Sequence, residues 1–158
     1  MTDFQLALKL VHILGAAVLF GTGLGIAFFM WMAHRTREPT FIAETARIVV
    51  IADAVFTASA VVVQPVTGVA LAWSMGRSLW EPWIVASLAL YVFVGLCWLP
   101  VVRIQIRLRD LAREAAQTGA ALPAEYDRLF SRWCVLGWPA FAGVIAIFAL
   151  MLWKPPLW

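Results

Sequence analysis

The chain has 158 residues, of which 63% are hydrophobic and 13% charged, where an ordinary soluble domain is roughly half apolar and about a quarter charged. That balance excludes a soluble domain and leaves a single membrane domain over 1–158. The net charge of +3 comes from arginines beside apolar runs, not from a solvated basic face, so no nucleic-acid partner is expected.

The first apolar run extends from Phe4 to Arg35, and His12 is its one ionisable side chain between Leu10 and Ala33. It exceeds the ~20 apolar residues that a spanning helix needs. Met1-Thr2-Asp3 carries no basic cluster and the run is too long for a signal's apolar region, so the helix is expected to stay in the mature protein. Gly21 and Gly25 have a spacing compatible with close helix packing, a weak signal in a membrane helix. His34-Arg35-Thr36-Arg37-Glu38-Pro39 forms a polar, proline-broken connection.

The second run follows Arg47 and holds Asp53, Gln64, Pro65, Thr67 and Gly68. Pro65 lacks an N–H, so a nearby group must satisfy the carbonyl it frees. Met75-Gly76-Arg77-Ser78 is a turn. The third run begins at Pro82-Trp83 and continues without a breaker into IQIRLRDLAREAAQTG, which predicts one long helix protruding to about Gln117 and stopped by Gly119. Pro123 opens the last helix, and Lys154-Pro155-Pro156 ends it. Cys97 and Cys134 have no partner at metal-ligand spacing and are expected to be small buried hydrophobes.

The expected fold is therefore all-α, a four-transmembrane-helix bundle with spans at about 5–33, 48–73, 83–105 and 133–153. Nine of the twelve basic residues, Arg35, Arg37, Arg47, Arg103, Arg107, Arg109, Arg113, Arg128 and Arg132, fall in connections one and three. By the positive-inside rule both termini lie outside, and helices three and four extend into a cytoplasmic helical hairpin. The tryptophans agree as interfacial markers: Trp73, Trp80, Trp83, Trp153 and Trp158 outside, and Trp31, Trp98, Trp133 and Trp138 towards the inside. The chain reads as a multi-pass protein of a bacterial inner membrane.

Ionisable groups inside a span are costly and face a bundle interior or a cavity. His12 shares a helical stripe with Gln5, Lys9, Gly15, Ala16 and Gly23. At 1.5 Å per residue it lies roughly 10 Å into the outer half, level with Gln64 and Thr67 on helix two and with Ser87 and Tyr91 on helix three. This set fits either a packed polar network or a site built between bundle helices. If a cofactor is held there, haem b is the expectation, because one imidazole suffices for its iron whereas zinc wants three or four ligands. His12 is then the metal ligand, Lys9 pairs with a propionate or snorkels to the surface, and Gln64 and Tyr91 line the pocket. His34 lies about 33 Å away along a straight helix and cannot share the iron. Met75 is a candidate sixth ligand, with a loop or core role as its alternative. Asp53 is expected to form an ion pair with Arg103 or Arg35, with proton relay as the alternative.

LKLVHILGAAVLFGTGLGIAFFMWMAHR, QPVTGVALAW, EPW and WLPVVRIQIRLRDLA together resemble a family of bacterial integral membrane proteins with a four-helix fold and no assigned chemistry. More distantly, the Lys9-x-x-His12 start of helix one is similar to that of the HemJ-type protoporphyrinogen oxidases. That resemblance implies His12 as a haem b ligand. The lysine that family carries after its Pro-Trp-like motif has no counterpart in Ile84-Val85-Ala86-Ser87-Leu88, and its arginine late in helix one is absent. The topology also loosely resembles CopD-type copper-resistance proteins, without their methionine and histidine clusters.

The expected function is a redox role for a haem held by His12, with a redox partner or a second copy of the chain. The alternative is a non-catalytic membrane scaffold whose arginine-rich hairpin docks a partner. A small-solute transporter is less favoured, since no inverted repeat is visible.

Overall fold

The computed structural model describes residues 2–157 and consists of four long helices, with no strand among the described residues. They are α1 (Asp3–Thr36), α2 (Pro39–Ser74), α3 (Pro82–Thr118) and α4 (Ala124–Trp153), each long and apolar enough to cross a membrane. The start of α1, the end of α4 and the α2–α3 turn lie on one side, called here the terminal side. The α1–α2 and α3–α4 connections lie on the other, the hairpin side.

The helix ends follow local chemistry. Thr2 and Gln5 form a capping box on α1, in which the Thr2 hydroxyl accepts from the Gln5 N–H at 3.3 Å and the Gln5 side chain accepts from the Thr2 N–H at 3.0 Å. Pro39 and Pro82 occupy first-turn positions, where a missing N–H costs nothing. Gly119 ends α3 in the left-handed region at φ 65°, as its place in the sequence predicts. The helix start at Pro39 lies well before the second apolar run. Its opening turns are amphipathic and bury Ile42, Ala43 and Ala46.

Inside α2 the residues Asp53–Thr57 form a π-helical turn, closed by the Ala58 N–H donating to the Asp53 carbonyl. Nothing in the sequence periodicity announces it. A second interruption, at Pro65, is handled as expected: Pro65 frees the carbonyl of Val61, and the Tyr91 hydroxyl of α3 donates to that oxygen.

The packed core sits towards the hairpin side, where Met30, Ala33, Ile42, Ala46, Leu108 and Tyr126 are fully enclosed. The alanines let α1 and α2 approach closely, the usual basis of helix association where the surrounding solvent is itself apolar. By contrast Val62, Val66, Phe28 and Trp138 stand exposed, as suits surfaces that meet lipid chains. The α3–α4 pair is packed along an extensive contact of its own. Gly143 makes it possible: a Cβ there would come within 2.7 Å of Val94 Cγ2. Gly21 and Gly25 take no part in interhelical packing; a Cβ on Gly21 would meet nothing within 4 Å.

Beyond the core, α3 and α4 continue as a charged pair joined by Arg107 and Glu125, with Arg107 Nε donating to Glu125 Oε1 at 2.9 Å. The end of α1 is tied to α4 by Arg37, which donates to Asp127 Oδ1 at 2.6 Å and to Oδ2 at 3.0 Å. This bidentate fork holds the Asp127 carboxyl below its ordinary range.

Candidate functional site: two polar clusters inside the bundle

The first cluster joins α1 to the terminal-side half of α2. His12 Nδ1 lies 2.8 Å from Thr67 Oγ1. The Thr67 hydroxyl donates its single proton to the Val63 carbonyl at 2.7 Å, shared with Gln64 O at 3.2 Å. Its oxygen can therefore only accept from the ring, which assigns the proton to Nδ1 and leaves the Nε2 lone pair free. Nε2 has no hydrogen-bond partner among the described residues. The ring has room because residue 68 is glycine: a Cβ there would sit 3.3 Å from His12 Cε1.

Gln64 donates to the His12 carbonyl at 2.9 Å, and Gln5 donates to Ser74 O at 2.6 Å. These two bonds fix the antiparallel register of α1 on α2. Tyr91 approaches the same helix one turn further in, at Val61. Lys9 is exposed one turn outward from His12 and forms no ion pair among the described residues. Ser87 is buried but donates to Trp83 O of its own helix at 2.7 Å.

His12, Thr67 and Gln64 are thus brought together, while Tyr91 and Ser87 are spent on backbone carbonyls. Met75 follows Ser74 and stands level with Gln5, about 10 Å along the axis from His12, too far for a sixth ligand. A groove of about 250 Å³ runs beside the cluster between α1 and α2, bordered by Gly15 and by the exposed Val11, Leu14 and Val18.

The second cluster surrounds Asp53, which is only 4% exposed. The expected ion pair is corrected here: neither Arg103 nor Arg35 reaches it, and its partners are uncharged. Trp98 Nε1–H donates to both carboxylate oxygens at 3.2 Å. Gln105, 2% exposed, bridges to α4. An indole N–H only donates, so the Gln105 Oε1 faces Trp133 Nε1 at 3.3 Å and its Nε2 donates to Asp53 Oδ2 at 3.3 Å. Trp98 and Trp133, taken from the sequence as interfacial markers, are donors inside the bundle. The arginines are exposed because a guanidinium near the lipid boundary reaches water at lower cost than it pays to enter the core.

Sequence reasoning missed Thr57, Trp98, Gln105 and Trp133. The signal available was Gln105, a lone amide on the apolar stripe of a charged helix. The Thr57 hydroxyl, one turn from Asp53, is buried without a hydrogen-bond partner. At the hairpin end His34 stacks on Phe130 with ring centroids 3.7 Å apart and is half-buried. The Tyr126 hydroxyl beside it is also buried and unpartnered, and burial pushes its pKa up to about 12. Cys97 and Cys134 are free, Cys97 buried and Cys134 partly so. No group of three or more His, Cys, Asp or Glu that could hold a metal ion is found among the described residues.

Set against known proteins, residues 6–155 match a family described as a predicted integral membrane protein. No curated protein matches the chain, and no solved structure does.

Proposed function

We propose, for a chain that belongs to the DUF2269 family of predicted integral membrane proteins, that His12 binds a b-type haem through Nε2 and that the protein serves a redox role in a bacterial inner membrane. The observation that carries this reading is the His12–Thr67 bond. A ligating imidazole characteristically gives its other N–H to a fixed acceptor, which sets tautomer and orientation and leaves the ligating lone pair free.

His12 would hold the iron, and Lys9, exposed one turn outward, would offer a cation for a propionate. The bound haem would supply one-electron chemistry. Gly68 keeps the surroundings of the ring small. We place both termini outside and the α3–α4 extension in the cytoplasm, supported by Arg35, Arg37, Arg47 and the six arginines of the third connection on the hairpin side. A redox partner or a second copy of the chain would exchange the electron.

A second reading has its own observation. Gln64 and Tyr91 both donate to backbone carbonyls, which is what packing elements of a non-catalytic membrane scaffold do. Oxidised and dithionite-reduced visible spectra of the detergent-purified protein separate the two. A Soret band with reduced α and β bands, lost in His12→Ala, supports the haem reading. A protein that stays colourless after haem supplementation overturns it and leaves the scaffold.

A further inference from the structure

We propose that Asp53 is a reversible proton-binding site within the bundle, with Thr57 positioned to accept the hydrogen bond of the protonated carboxyl. The proposal does not depend on His12 or on any cofactor.

A carboxylate in a low-dielectric interior is expensive unless donors surround it. Asp53 has two such donors, the Trp98 indole and the Gln105 amide, both held from α3, with Gln105 in turn fixed by Trp133 of α4. Both are neutral. A structural carboxylate at this depth calls for a cation, and none is provided. Among their ionisable side chains towards the hairpin side the surrounding helices carry Arg103 and Cys97 on α3, Cys134 on α4, and His34 and Arg35 on α1. None makes a hydrogen bond or ion pair with Asp53 among the described residues. The α1–α2 register places Ile26 and Thr22, both uncharged, about level with it. α2 itself contributes no charge between Arg47 and Arg77 other than Asp53.

The neutral acid needs something the anion does not, an acceptor for its O–H. Trp98 cannot be one, since an indole N–H only donates, and the Gln105 carbonyl is committed to Trp133. The remaining polar atom is Thr57 Oγ1, one turn away on a residue 93% buried, which makes no hydrogen bond among the described residues and whose hydroxyl can turn to give to the carboxylate or to accept from the acid. It closes the same π-helical turn that Asp53 opens, and such turns occur frequently at functional sites. The cluster is therefore equipped for both protonation states: two fixed donors for the anion, and a hydroxyl that can turn to accept from the acid. The step moves one proton from water to an Asp53 carboxylate oxygen, with no change in electron count.

Infrared difference spectroscopy of the full-length protein in lipid nanodiscs, titrated from about pH 9 to about pH 4, tests this. A protonated-carboxyl C=O band that appears on acidification and is absent in Asp53→Asn supports the proposal. Should Asp53→Asn fail to fold, the exposed Asp3 and the half-exposed Asp110 and Asp127 are changed to Asn instead. Asp53 is then the sole aspartate, and 13C labelling of the aspartate carboxyl reports on it alone. In that background Thr57→Val lowers the titration midpoint by about one pH unit, the effect of removing one buried hydrogen bond from the acid form. A carboxyl whose protonation does not change over this range overturns the proton site. A midpoint unmoved or raised by Thr57→Val overturns the role given to Thr57, a rise being the sign of a hydroxyl that serves the anion instead.

Discussion

At the scale of single residues, Gly15 shows how closely the His12 cluster is fitted. A Cβ at position 15 would come within 2.5 Å of Gln64 Nε2, the mobile end of a flexible side chain. Gly15→Ala therefore displaces that amide and loses its bond to the His12 carbonyl, offsetting the ~0.5–1 kcal/mol that alanine adds to a helix interior. In a Gln64→Ala background only the gain remains. The expected outcome is a substitution that is near neutral alone and stabilising in the double variant, read from unfolding in mixed micelles. Thr67→Val removes the acceptor of His12 Nδ1 and is expected to cost about 1 kcal/mol by the same measurement. These contacts were partly legible in the sequence, because His12, Gln64 and Thr67 fall at one depth once four spans are drawn. The Asp53 environment was not. Its donors come from Trp98 and Gln105 on another helix, and an indole in an apolar run looks the same whether it marks an interface or satisfies a carboxylate.

At the scale of elements, Pro65 and Tyr91 form a unit spanning two helices. The ring of Pro65 removes one backbone donor, and the Tyr91 hydroxyl replaces it at Val61. Tyr91→Phe leaves that carbonyl unpaired within the bundle and is expected to cost roughly 0.6–2 kcal/mol. Pro65→Ala returns an N–H to α2, after which Tyr91→Phe costs little. A double-mutant cycle in which the two losses simply add would refute the pairing. The need for such a donor was predictable from Gln64-Pro65. Its identity was not, because helical spacing says nothing about which residue of another helix stands opposite. The long α3 and its stop at Gly119 were readable for the opposite reason: they rest on signals local to the chain.

At the scale of the molecule, stability is unevenly distributed. The enclosed side chains gather towards the hairpin side, and the Arg37–Asp127 fork closes that end by tying α1 to α4. Asp127 is held below its usual 3.8 by Arg37, so its contribution is present above that pH and is lost as pH falls through the depressed value. Both side chains are about half exposed, which limits the contribution to less than about 1 kcal/mol. The expected result is a small stability gap between the protein and Arg37→Gln at neutral pH that closes as pH falls through the depressed Asp127 value. A gap independent of pH would assign it to Arg37's packing instead.

The π-helical turn at Asp53–Thr57 also acts as a phase setter. Closing a turn from residue i to i−5 takes one residue more than an α-turn, and one residue is 100° of rotation at 3.6 per turn. Everything from Ala58 onward, Gln64 and Thr67 included, points where it does because of that added residue. Deleting Val55 and letting the helix close as α would swing the whole terminal-side half of α2 by about 100° and turn Thr67 away from His12, with every side chain of both clusters still in the chain. The two clusters share no atom, yet one short segment fixes the angle between them, as a keyway fixes two cams on a shaft.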